Sequence, residues 1–251
     1  MTLTDWLAII GAASWSPTLV FALVALIRLF RKQILRIYSY KNIEIGYSIY
    51  GSIINISLGL ISDHSYTFIE KIALTLIHES KEESIFYWEW IEEIISQMDM
   101  PGNQVQYKKN QQAIALRIDQ DFYIEKKIGF HNDKYKEKQR VLSNELIEEI
   151  NNVQEGEVPN KVLETKCFKS LIANIENSFL WKPGNYKIKL DISTNKSVTF
   201  NHVIEFSLSE SDVHTLRKNI ELAKQYEKNI ILNPEANMNL QWFWIFPQKK
   251  L

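Results

Sequence analysis

The longest apolar run of the chain comes first. Trp6 to Ile27 is a stretch of 22 residues without a charged side chain, and as a helix rising about 1.5 Å per residue it covers roughly 33 Å, enough to cross a hydrocarbon core of about 30 Å. The pattern predicts a transmembrane helix. Its polar side chains are Ser14, Ser16 and Thr18, whose hydroxyls can return to the backbone of the preceding turn. Pro17 follows Ser16 and predicts a kink, or a new helix capped by Ser16. A cleaved signal peptide would open with Lys or Arg, yet the first basic residue is Arg28. Ala8, Ala12 and Ser16 repeat at i, i+4 and i+8 and offer a small-residue face for self-association; the general abundance of such residues in membrane helices is the alternative reading.

The period then falls to two. Ile54, Ile56, Leu58 and Leu60 alternate with Asn55, Ser57 and Gly59, and Ile72, Leu74 and Leu76 alternate with Ala73 and Thr75, which predicts strands with one buried face. IEIGYSIYG predicts an entering strand with a turn or bulge, Ser84–Ile91 an aromatic strand, and Gln112–Ile118 a further one. From about Asp121 the spacing becomes helical: Leu142, Leu146, Ile147 and Ile150 share a face, as do Phe168, Leu171, Ile172, Ile175 and Phe179. Alternation returns in WKPGNYKIKLDI, where Tyr186, Ile188, Leu190 and Ile192 point one way. A Pro-Gly turn feeding a strand that begins on Tyr186 is the pattern of a tyrosine corner, and about seven strands predict an immunoglobulin-like sandwich. His202–Leu208 supplies a partner strand, Ser209–Asp212 a capping box for one more helix, and QWFWIFP a terminal strand or strap.

The predicted fold is therefore membrane-anchored and mainly β (α+β). A transmembrane helix and a basic juxtamembrane helix occupy 1–41, followed over 42–251 by a cytoplasmic β-sandwich with a helical insertion near 121–180. Charge sets the orientation. Arg28, Arg31, Lys32, Arg36 and Lys41 follow the apolar run without an acidic residue among them, so the rule of positive cytoplasmic flanks puts the N-terminus outside the bacterial inner membrane and the remainder in the cytoplasm. Arg28, Arg31, Lys32 and Arg36 would then lie against anionic lipid. The net charge of −1 divides into +4 for residues 1–41 and −5 for the rest, which excludes a generally basic nucleic-acid surface.

Little in the sequence points to catalysis, and the expectation is a protein that is not an enzyme. The five histidines are scattered without metal-ligand spacing, the eight glycines form no phosphate-binding loop, and Cys167 stands alone, so neither metal nor cofactor is expected. One stretch stands out. Between Tyr107 and Arg140 nine basic residues face five acidic ones with aromatics interleaved; Lys108, Lys109, Lys126, Lys127, Lys134, Lys136, Lys138 and Arg140 are candidates for holding an anionic ligand, with a lysine-rich solvated face as the alternative.

EIGYSIYGSIINISLGL, HES-x(4)-IFYWEW, SFLWKPGNYKIKLDI and FSLSESDVHTLRKNIEL together resemble a family of bacterial single-span membrane-anchored proteins. The layout is similar to that of the membrane effectors of the Hailong anti-phage defence system. That resemblance implies a homo-oligomeric channel gated by the nucleic-acid product of a partner nucleotidyltransferase, with Ala8, Ala12, Ser14, Ser16 and Thr18 packing or lining the pore. The other expectation is a membrane-tethered adaptor whose sandwich recruits a soluble partner without a pore.

Overall fold

The computed structural model describes residues 17–26, 34–63, 65–98, 104–152, 158–196, 198–232 and 240–250. A helical segment, α1 (described over 17–26), precedes β1 (Ile34–Ser48), β2 (Gly51–Asp63), β3 (Thr67–His78), β4 (Glu83–Met98), β5 (Gln104–Gln112), β6 (Leu116–Ile118) and β7 (Tyr123–His131). Three helices follow, α2 (Asp133–Asn151), α3 (Val158–Glu164) and α4 (Lys166–Asn177), then β8 (Gly184–Thr194), β9 (Thr199–Leu208) and α5 (Glu210–Leu232).

All nine strands join one antiparallel sheet in the order β1-β2-β7-β4-β3-β8-β9, with β5 on β4 and β6 on β3. The sheet curls until its two ends nearly meet. The C-terminal segment fills the gap: Ile45 and Ile245 exchange backbone hydrogen bonds of 2.8 and 2.9 Å, and the Lys250 N–H donates to Glu205 O on β9 at 2.7 Å. The strap thereby covers part of the edge that β1 and β9 would otherwise expose. The inward face carries the alternating apolar residues, with Ile54, Ile56, Leu58 and Leu60 of β2 packed among Ile128, Phe130, Ile188 and Leu190. Trp181 is fully buried there and its Nε1–H donates to Gly46 O at 2.9 Å.

This arrangement corrects the immunoglobulin-like sandwich. Alternation reports that a strand has one buried face, and a curled sheet satisfies that as fully as two flat ones. The tyrosine corner is present locally, since the Tyr186 hydroxyl donates to Lys182 O at 2.9 Å and accepts from the Lys182 N–H at 2.7 Å. It turns the chain into β8 of the barrel-like sheet.

The transmembrane helix is corrected as well. Among the described residues no helix is long and apolar enough to cross a membrane. The described part of the opening run, 17–26, is helical. The anchor, the N-out orientation and the inner-membrane placement are accordingly not supported. Thr18 lies exposed on α1; Ala8, Ala12, Ser14, Ser16, Arg28, Arg31 and Lys32 lie outside the described residues. Nor is there a juxtamembrane helix from Ile34 onward. Leu35 and Ile37 face the core and Arg36 faces away, a period of two that forms β1, and the Arg36 guanidinium pairs with Asp63 across the strands at 2.8 Å.

The helices begin later than the expected insertion, because 123–131 is β7, a central strand between β2 and β4. Asn132 ends it and starts α2, its side chain accepting from the Tyr135 N–H at 3.1 Å. The face Phe168, Leu171 and Ile175 of α4 is buried as its spacing predicts. Leu146 and Val162 pack with Phe168 and Leu171, Ile175 and Ala223 pack on Tyr47 of β1, and Val213 and Leu216 of α5 belong to the main core within the sheet.

Candidate ligand-binding cleft

The outward face of β2 reads Ile53, Asn55, Ser57, Gly59. Asn55 is flanked by Glu44 on β1 and Gly129 on β7, and Ile53 by Gly46 and His131. Two of these six positions are glycines with aromatic rings laid on them. A Cβ at Gly46 would stand 2.4 Å from the Trp244 ring, and one at Gly129 would stand 2.1 Å from the indole of Trp90. Any other residue would push the ring away, so the glycines let two indoles approach bare backbone, and both tryptophans stay half-buried at the surface.

Trp90 reaches this side through a break in alternation. Phe86 and Trp88 turn toward the core, and strict alternation would send Trp90 after them. The register of β4 against β7 shifts between Trp88 and Trp90, and the extra residue, Glu89, turns Trp90 outward onto Gly129 while Ile91 becomes the core residue. Trp244 arrives from the C-terminal strap. Asn219 of α5 holds that strap at both polar ends of its amide, accepting from the Phe243 N–H at 2.9 Å and donating to Phe243 O at 2.8 Å.

Between these rings lies a cleft of about 830 Å³, in the upper part of the range of roughly 300–1,000 Å³ for small-molecule sites. Trp242, Tyr50 and Tyr226 complete its aromatic lining. Its charges come in pairs: Lys127 with Glu44 at 2.5 Å, Lys136 with Glu89 at 2.7 Å, and at the rim Lys108 with Glu92 at 2.9 Å. Asn55 donates through Nδ2 to the second oxygen of Glu44 at 3.1 Å.

Two lining groups are buried without a hydrogen-bond partner among the described residues, Asn55 Oδ1 and His131 Nδ1. A buried polar atom left unpaired costs about 1–3 kcal/mol. His131 is stacked on Tyr50 with ring centroids 5.6 Å apart. Burial, aided by the nearby Lys136 charge and opposed by Glu89, pushes its pKa down to about 4, so the imidazole is neutral near pH 7. On the far side of Tyr50 and Lys136 a second cleft of about 580 Å³ runs along α2. There Gln139 bridges Glu227 and Asn174 at 3.0 and 2.9 Å, and burial raises the Glu227 pKa above its ordinary value.

Of the basic residues singled out in the sequence, Lys127 and Lys136 line the first cleft, Lys136 and Arg140 the second, and Lys108 sits at the rim through Glu92. Lys126 pairs with Glu93 at 2.6 Å and Arg140 with Glu137 at 2.8 Å. Lys109, Lys134 and Lys138 are exposed on β5 and α2. The stretch therefore does not gather into one basic face. Sequence reasoning missed Trp90, Trp244, Gly46, Gly129 and His131 as a unit; the available signal was Trp242 and Trp244 two apart in a strap, which places both on one side. Comparison with protein-family models, curated proteins and solved structures finds no match, and nothing among them links this chain to a defence system.

Proposed function

We propose that the protein is a ligand-binding protein, and that its ligand is a polar, ring-bearing molecule seated in the cleft over Gly46, Asn55 and Gly129. The observation that carries this reading is the pair of indoles, Trp90 and Trp244, laid on glycine backbone beside two buried unpartnered polar atoms. Flat indole faces attract a ring, and Asn55 Oδ1 and His131 Nδ1 supply directional contacts that fix its orientation. The carboxylates of Glu44, Glu89 and Glu92 are each engaged by a lysine, an arrangement that suits recognition more than proton transfer.

A gated pore needs a membrane span, and no helix among the described residues is long and apolar enough to supply one. The adaptor role needs none, and occupation of the cleft is an event such an adaptor could pass on through the strap or through α5. Tryptophan fluorescence of the full chain, titrated with a set of sugars, nucleosides and nucleotides, tests the proposal. Saturable quenching by a member of the set, weakened in Trp244→Ala and Trp90→Ala, supports it; identical titrations in wild type and both variants reject it.

A further inference from the structure

The outward face of β2 does not end at the tryptophan cleft. Two positions beyond Asn55 stands Ser57, opposite Lys127, and two beyond that Gly59, flanked by Tyr38 on β1 and Glu125 on β7. Gly59 repeats the construction of Gly46 and Gly129, because a Cβ there would stand 2.6 Å from the Tyr123 ring. Tyr38, Tyr40 and Tyr123 are half exposed or more around it, at 50%, 62% and 52%, and they enclose a small pocket of about 110 Å³ that Ser57 and Glu125 also line. Asn55 and Gly59 are four residues apart on one strand, about 13 Å at 3.3 Å per residue. One sheet face thus carries three aromatic rings on glycine, two at one end of a polar strip and one at the other.

Charge along this strip is nearly balanced. Glu44, Glu89 and Glu92 are paired with Lys127, Lys136 and Lys108, and Glu125 adds one further negative charge. A polyanion would have to take those lysines from their carboxylates and pass Glu125, which opposes the phosphate contacts on which nucleic-acid affinity rests. A hydroxyl both donates and accepts, so it satisfies Asn55 Oδ1 and either tautomer of His131.

Resting on the assignment of the cleft as a binding site, we infer that the ligand is a linear, uncharged glycan lying along β2, with sugar rings on Trp90 and Trp244 at one end and on Tyr123 at the other. The strip between them, Ser57 and the Lys127–Glu44 pair, offers hydroxyl partners to the intervening residue. Three ladders test the inference by tryptophan fluorescence and calorimetry on the full chain: β-1,4-glucose, β-1,4-N-acetylglucosamine and α-1,4-glucose oligomers of one to six units, with oligodeoxynucleotides of matching length alongside. Affinity for one ladder should rise with length until both ends are spanned, and Trp244→Ala should weaken every length by roughly tenfold, about 1.4 kcal/mol. Tyr123→Ala, at an exposed position, should remove the gain of the longer oligomers and leave the shortest unchanged. Binding that is independent of length and indifferent to Tyr123→Ala overturns the extended glycan but leaves the cleft. Tighter binding of the oligodeoxynucleotides overturns the uncharged class, and failure of all three ladders overturns the glycan. Binding unaffected by Trp90→Ala and Trp244→Ala overturns the cleft itself.

Discussion

Gly129→Ala places a methyl carbon 2.1 Å from Cε2 and 2.2 Å from Nε1 of Trp90. Those atoms belong to a rigid ring, so relief requires the whole indole to lift from the strand. Overpacking of this kind costs about 1–3 kcal/mol, and in a chain of this length each kcal/mol lowers Tm by about 2–4 °C. With Trp90 already replaced by alanine the same methyl meets the space that the indole left. There alanine should be favoured over glycine, which in a strand interior is the weaker residue by roughly 0.5–1 kcal/mol. The predicted coupling between the two substitutions is therefore about 1.5–4 kcal/mol. Urea denaturation of wild type, Gly129→Ala, Trp90→Ala and the double variant measures it directly. Effects that add to within about 0.5 kcal/mol would show that the ring does not lie on the glycine and would refute this construction of the cleft.

Three further outcomes are expected. Asn219→Leu removes both side-chain hydrogen bonds to Phe243 and should cost about 2–4 kcal/mol, counting roughly 1–2 for each, with faster proteolysis in 240–250 than in α5; a strap as resistant as in wild type would contradict the clamp. His131, whose pKa falls from an ordinary 6.5 to about 4 in the fold, should make stability decline as pH drops from 6.5 to 4, because the unfolded chain binds the proton more readily. The full difference is about 3 kcal/mol at 1.36 kcal/mol per unit, and His131→Phe should flatten that part of the denaturation profile. Glu227 is shifted the other way, upward by burial, so its ionisation weakens the fold as pH rises through the raised value; Glu227→Gln should stabilise the protein at pH 8 and make little difference at pH 4.

The parts of the fold that were legible in the sequence are those in which one strand or helix meets one core. The alternation of Ile54 to Leu60 and of Tyr186 to Ile192, and the stripe of Phe168, Leu171 and Ile175, are buried as read. Strand pairing was not legible. Alternation is silent on whether β7 inserts between β2 and β4, and β7 itself carries Glu125, Lys126 and Lys127 on a half-exposed end that reads as helical surface. β5, a polar hairpin partner of β4, has no buried stripe to announce it. The opening apolar run satisfied a length rule, yet among the described residues no helix is long and apolar enough to cross a membrane. The cleft escaped notice for a different reason. Gly46, Trp90, Gly129 and Trp244 come from three strands and a strap, and the outward turn of Trp90 depends on the bulge at Glu89, which no local pattern marks.

The indoles of Trp90 and Trp244 are proposed as a ligand-binding surface. Its most direct test is the 15N–1H spectrum of the tryptophan indoles during titration with the sugars, nucleosides and nucleotides above, with Trp181 as internal reference because its Nε1–H is buried and bonded to Gly46 O. Ligand seated in the cleft gives saturable shifts at Trp90 and Trp244, with one dissociation constant for both and a smaller change or none at Trp181. Shifts confined to tryptophans outside the cleft, or no shift at Trp90 and Trp244 with any compound, would contradict it.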